Sequence, residues 1–291
     1  LKKYLWILPA LFLVVSITLW GFNAEKGVHP LVNRSVVNES KAGNETRSEN
    51  DNALFLLDEL IEQSEVAEKL KSYAVDLSLV QIENVQEGDK KDQQKVNISI
   101  KQEYINDPIQ MHVLLNMKSG KENNKLEQYV MKDDMYTSVD GIWMYTKEGF
   151  DDDLLQVIED NIDVSEQLHI FTTMQEKTKI TTEGENYVIE AQVSGADKAD
   201  KAKKLAKEII SGNFELDNDS IQMMNIKDLN VISKIQKRTF YPLYYKLKII
   251  MDGEQAGKKV SMELDMTIDV FKHNNIKKIN IPQKALNSAK Y

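Results

Sequence analysis

The sequence contains no cysteine, which excludes disulfides, thiolate metal sites and a cysteine nucleophile. Histidine is scarce: His29, His112, His169 and His273 stand far apart without ligand-like spacing, so no zinc site is expected. Positive charge is in deficit. With 37 Lys and Arg against 46 Asp and Glu, the formal net charge is -9 and the pI is near 5.2. A nucleic-acid partner needs a basic footprint, so none is expected. Motifs of catalysis are missing as well: there is no nucleophile elbow, phosphate loop or metal signature. Acids do pair at Asp133-Asp134, at Asp151 to Asp153 and at Glu159-Asp160. Neighbouring residues on a strand or helix point apart, however, and no partnered base accompanies them. The Asp151 to Asp153 triplet also lacks the glycine and distal glutamate of a calcium loop; negative charge there suits a helix N-terminus. The expectation is a protein that is not an enzyme and that uses no cofactor or metal.

What is present begins with one long apolar run. Lys2 and Lys3 precede an uncharged, mostly apolar stretch from Tyr4 to Phe22, close to the roughly 20 residues that span a bilayer core. A basic flank followed by such a run reads as a secretory signal or a signal anchor. The small-x-small cleavage pattern is poor, because Phe22 stands two places before Ala24. An uncleaved anchor over residues 1–22 is therefore favoured over a cleaved signal, with the cell membrane as location and the remainder on the extracytoplasmic side. Residues 23–52 turn polar at once and cannot bury enough surface to offset their ordering entropy, so they read as a disordered linker.

From residue 53 the chain has the 42% apolar content overall that a core requires. Leu54, Leu57, Ile61, Ala67 and Leu70 recur at helical spacing over Ala53 to Ser72, with Asp51 or Asn52 as cap. Strands follow. Val75, Leu77 and Leu79 alternate with polar residues; Val96, Ile98 and Ile100 do so after a charged loop at Glu87 to Gln94. Asn106-Asp107-Pro108 turns the chain into Ile109 to Met117, and Leu126 to Met131 continues the meander. Strict alternation means an antiparallel sheet with one buried face. Asp140-Gly141 then closes a short hairpin inside Lys132 to Lys147, with Tyr136, Trp143 and Tyr145 as aromatic cross-strand partners.

Helical stripes come next at Leu154, Leu155, Ile158 and Ile162, then at Val164, Leu168, Phe171 and Met174. A strand over Tyr187 to Val193 leads to a lysine-rich helix from Lys198 to Ile209, read as a solvated face or as a surface for anionic headgroups. Long alternations finish the chain: Leu229 to Ile235, Leu243 to Met251, Val260 to Val270 and Ile276 to Ile281. A faint echo between Tyr104 to Met117 and Phe240 to Met251 joins the two strand sets in one sheet. Residues 283–291 read as a loose tail.

Glu127-Gln128-Tyr129, Met135-Tyr136 and Gly141-Ile142-Trp143 carry a resemblance. Over residues 53–282 the chain resembles surface lipoproteins of Gram-positive bacteria similar to the mycobacterial LppX and LprG lipoproteins and, more distantly, to the LolA and RseB periplasmic proteins. It departs from them in lacking the lipobox cysteine, with Phe22 in that place. The resemblance implies an α+β fold: a curved antiparallel β-sheet, or half-barrel, with helices packed on its concave side. Between sheet and helices the characterised relatives hold lipid acyl chains. The corresponding expectation is a membrane-tethered extracytoplasmic protein that binds a lipid or other hydrophobic ligand. The alternative is a non-enzymatic envelope sensor that binds another membrane protein. Alternation and helical spacing select the side chains expected to line the space: Met111, Val113, Leu115, Trp143, Leu168, Phe171, Leu247, Ile249, Met262, Leu264 and Met266. Methionine is prominent among them, a residue that adapts to irregular shapes.

Overall fold

The computed structural model describes residues 49–65, 67, 70–147, 164–174, 177–194, 225–255 and 257–289. The expected anchor, the linker as far as residue 48, the stripe from Leu154 to Ile162 and the lysine-rich helix lie outside these residues. Among the described residues, no helix is long and apolar enough to cross a membrane.

Helix α1 (Glu49–Glu65) leads into six strands: β1 (Ser72–Glu87), β2 (Lys90–Asn106), β3 (Ile109–Ser119), β4 (Glu122–Met131), β5 (Met135–Val139) and β6 (Ile142–Thr146). Helix α2 (Val164–Thr173) precedes five more: β7 (Thr178–Glu183), β8 (Asn186–Ser194), β9 (Asn225–Gln236), β10 (Pro242–Gln255) and β11 (Lys258–Phe271). Helix α3 (Gln283–Ser288) follows. All eleven strands form one open antiparallel sheet in the order β6-β5-β4-β3-β2-β1-β11-β10-β9-β8-β7. In each set sequential strands are antiparallel neighbours, joined by short turns except between β8 and β9, which residues 195–224 separate. The two sets meet in the middle, where β1 pairs with β11 over thirteen positions from Ala74↔Phe271 to Gln86↔Lys259. One sheet thus carries both strand sets, as the internal echo implies.

Sequence alternation sets the two faces. In β1, Tyr73, Val75, Leu77 and Leu79 are buried on one side, while Asp76 and Ser78 take the other. That second side carries exposed or half-exposed ion pairs such as Lys248–Glu263 at 3.3 Å and Lys234–Glu183 at 2.7 Å. Pairs of this kind contribute little to stability. Their effect is to keep that face wet.

The segment Glu87 to Gln94 is not a loop. The turn is confined to Gly88 and Asp89, and strands run to Glu87 and from Lys90. Charged strands persist here because β1 has ladder neighbours on both sides, with Glu87 opposite Lys90 and Gln86 opposite both Lys91 and Lys259. Lys258 Nζ lies 3.0 Å from Glu87 Oε2. Opposite charges across strands substitute for the missing apolar pattern.

Helix α1 also differs from its expected span. It starts at Glu49, which places Asp51 and Asn52 inside it, and it stops at Glu65. The chain beyond is claimed by another partner: Asn274 Oδ1 accepts the Lys71 N–H at 2.7 Å and the Ser72 N–H at 3.4 Å. Leu57, Leu60 and Ile61 form the buried stripe of α1, and Ser64 Oγ returns a 2.8 Å bond to the Ile61 carbonyl. Helices α1 and α2 pack on each other and on the β7–β8 end of the sheet, joining its apolar face in one core cluster.

The C-terminal segment departs from the sequence reading most. It is a strap across the polar face of the sheet. Asn274 (φ 57°) donates its N–H to the Ser72 carbonyl at 2.7 Å and its Nδ2 to Tyr241 Oη at 2.9 Å. Farther on, the Ile279 N–H donates to Gln110 Oε1 at 3.0 Å. Helix α3 then seats Ala285, fully buried, against β5 and β6. The helices therefore occupy both faces of the sheet, not one. A tail with so few apolar residues holds its place because side-chain amides satisfy its backbone.

Candidate functional site

The apolar face of the sheet is the candidate site. One cross-strand row shows its extent. It passes from Ile142 and Val139 through Leu126, Leu115 and Ile100 to Leu77 at the centre. It continues through Ile268, Tyr245, Ser233 and Ile189 to Ile180. Every one of the eleven strands contributes to this row, and β-branched or long apolar side chains dominate it.

Ten of the eleven expected lining residues fall on this face or on the helix that covers part of it. Met111, Val113 and Leu115 project from β3; Leu247 and Ile249 from β10; Met262, Leu264 and Met266 from β11; Leu168 and Phe171 from α2. All ten belong to one buried cluster. The β3 group is separated from the β10–β11 group by β2 and β1, so the two groups line opposite flanks of the face.

Trp143 does not join them. It stands opposite Ser138, which stands opposite Glu127, on the polar side of the sheet. There it packs in a second cluster with Ile105, Tyr129, Tyr136, Ile279 and Ala285. The physical reason is strand parity: Ile142 and Met144 share the apolar side, so Trp143 and Tyr145 between them must point away. Met131 follows the same rule and packs with the second cluster.

The aromatic hairpin therefore builds the seat for the strap. Asp140 (φ 49°) and Gly141 (φ 89°) make the tight turn. The Asp140 carboxylate accepts the Lys125 N–H at 3.1 Å. Tyr136 and Tyr145 rings lie 5.3 Å apart, tilted by 45°, and Trp143 approaches Tyr129 at 6.0 Å. His112 stacks on Tyr129 at 4.2 Å, and the Tyr129 hydroxyl donates to Glu127 Oε1 at 2.9 Å. Tyr145 donates to Asp134 at 2.7 Å, and that bond, with burial and the same carboxylate's charge, pushes its hydroxyl up to about 12. These groups hold one another and are spoken for.

The apolar face carries a feature that the sequence reading passed over. Gln102 in β2, Gln128 in β4 and Ser233 in β9 are buried in phase with the apolar alternation. Gln128 donates to Thr137 Oγ1 at 3.2 Å and to Met135 Sδ at 2.9 Å. Gln102 Oε1 and Tyr245 Oη have no hydrogen-bond partner among the described residues. Burial alone drives the Tyr245 hydroxyl far above its ordinary value. Each orphaned polar atom costs about 1–3 kcal/mol. The signal was available in the sequence: Gln102 breaks the run Ile98, Ile100, Tyr104, and Ser233 breaks Val231, Ile235. No charged side chain among the described residues is buried.

Fold and site together define an α+β protein whose open eleven-stranded antiparallel sheet presents one broad buried apolar face. The chain belongs to DUF6612, a family of unknown function, whose family model matches residues 56–290. No curated protein matches it. Among solved structures it is similar to a putative outer membrane lipoprotein-sorting protein domain from Vibrio parahaemolyticus. The identity is 11%, with 82% of this chain and 100% of the other covered and a TM-score of 0.23. It is also similar to a LolA superfamily protein from Nitrosomonas europaea, at 9% identity, 78% and 96% coverage and a TM-score of 0.17. A DUF1329 family protein from Desulfovibrio piger matches at 8% identity, 80% and 96% coverage and a TM-score of 0.18. At these TM-scores the likenesses carry no argument about fold or role.

Proposed function

We propose that this chain is a non-enzymatic binding protein that holds a lipid or other hydrophobic ligand against the apolar face of its sheet. In this reading residues 1–22 tether it to the cell membrane, the domain stands on the extracytoplasmic side, and the sheet curves as a half-barrel of the LppX, LprG and LolA kind. The observation that supports the reading is the breadth of the face: a cross-strand row through all eleven strands, apolar but for Ser233, flanked by adaptable side chains such as Met111, Met251, Met262 and Met266. The ten clustered residues are its lining. Purification of the full chain under mild extraction, followed by mass spectrometry of co-purified lipids, tests the proposal. A stoichiometric apolar molecule is expected, and protein that is free of any such molecule and refuses added lipid overturns it.

A second reading, an envelope sensor that binds another membrane protein, draws on the edge strand β6. Ile142 and Met144 are 72% and 50% exposed there, a surface on which a partner's strand can add. Co-purification of a defined membrane protein with the full chain, lost in the Ile142→Lys variant, would favour it.

A further inference from the structure

We propose that the ligand on the apolar face is an uncharged amphiphile with hydrogen-bonding groups at two separated points, read by Gln102 and Tyr245. The inference rests on the binding reading above and names its ligand class.

Gln102 is 2% exposed on β2, between Val113 of β3 and Val75 of β1. Tyr245 is 8% exposed on β10, between Ile268 of β11 and Ser233 of β9. Both side chains rise from the apolar face, and both end in an atom without a partner among the described residues. Buried polar atoms in folded proteins are nearly always bonded, so two orphans on one face call for a common partner. Either could have been apolar at little cost in shape: Tyr104 and Leu247, two residues along, show that the same strands accept bulk without such a penalty.

Their separation sets the form of that partner. From Tyr245 to Gln102 the sheet makes three strand-to-strand steps, through β11 and β1. Ile268 is level with Leu77, two residues from the Val75 that faces Gln102. Strand spacing makes this about 14 Å across and about 7 Å along the sheet. One hydroxyl cannot serve both. The surface between them is apolar, formed by Val75, Leu77, Ile268 and Val270. A matching molecule is a chain with a polar group near each end of this span and hydrocarbon between. The Gln102 amide accepts through Oε1 and donates through Nε2, and a hydroxyl can answer either; Tyr245 Oη can donate to an ester carbonyl. Buried polar residues among those described are all uncharged, so a carboxylate or phosphate would enter without a counter-charge, at a steep desolvation cost.

The full chain in amphipol, delipidated and loaded with an equimolar mixture, provides the test. Methyl ricinoleate has an ester and a mid-chain hydroxyl; methyl oleate lacks the hydroxyl; oleate replaces the ester with a charge. Bound lipid is then quantified by mass spectrometry after repurification. Methyl ricinoleate is expected to exceed methyl oleate by about five-fold, the value of one net hydrogen bond, and oleate to be excluded. Gln102→Met should abolish the preference, and Tyr245→Phe should lower retention of both esters. Both variants nearly conserve volume, and unfolding midpoints of the empty forms at or above that of the parent verify that they fold. Retention of methyl oleate with no preference for the hydroxyl, unaltered in either variant, overturns the proposal alone; the orphan atoms then serve internal water. A preference for oleate also overturns it alone. Retention of none of the three overturns the binding reading with it.

Discussion

Ile100 illustrates how much rests on single side chains. It is 1% exposed at the middle of the cross-strand row, between Leu77 and Leu115. Ile100→Ala removes buried methyl groups and leaves a cavity that β-sheet neighbours cannot fill, so a loss of about 2–5 kcal/mol is expected in urea unfolding. A change below half a kilocalorie would mean that the face is loose at its centre. His273 behaves differently. Its ring approaches the Pro242 carbonyl at 2.9 Å and lies 5.4 Å from the Tyr241 ring. Desolvation lowers its pKa below the ordinary imidazole value, against a smaller opposing effect from the Pro242 carbonyl. The unfolded chain therefore takes up the proton first as pH falls. Stability is full above the unfolded value of about 6.5 and declines below it until the folded ring is protonated too. In the His273→Gln variant this part of the acid destabilisation should vanish, read as a flatter profile of melting temperature against pH between about 7 and 5.

Among the elements, helix α3 makes the sharpest claim. Ala285 is its fully buried contact, set on the aromatic seat built by β5 and β6. Ala285→Glu forces a carboxylate into this fully buried contact and should release the helix. Near-ultraviolet circular dichroism from Tyr136, Tyr145 and Trp143 is expected to fall, while lipid retention on the other face persists. Strands with strict alternation, such as Val260 to Val270, were legible from sequence because parity alone assigns their faces. The eight strand residues of the buried cluster named from sequence were legible for the same reason, and Leu168 and Phe171 by their helical spacing. Trp143 was not, because a five-residue strand with apolar residues in both phases gives parity nothing to choose between. Glu87 to Gln94 misled in the opposite sense: its ladder is held by neighbours that lie more than a hundred residues away, at Lys258 and Lys259. The strap from Lys272 to α3 depends on Asn274 and Gln110, amides whose partners no local pattern announces.

At the scale of the whole molecule, the organising contact is the pairing of the first strand with the last. Deleting Lys258–Phe271 would add β1 and β10 as long bare edges, each more than a dozen residues, to the short edges β6 and β7. Long apolar edges recruit other chains. The truncated protein is expected to aggregate, measured by light scattering, and a soluble monomer would show that the two meanders are separable. The same seam has a temporal side. Leu77 meets Ile268 only after the intervening chain has been made, so during vectorial synthesis β1 waits with its outer flank bare until β11 emerges. Contacts of such long range are slow to form. A newborn copy therefore passes through a window in which it is sticky, and the cell that makes it has reason to keep that window attended by a chaperone.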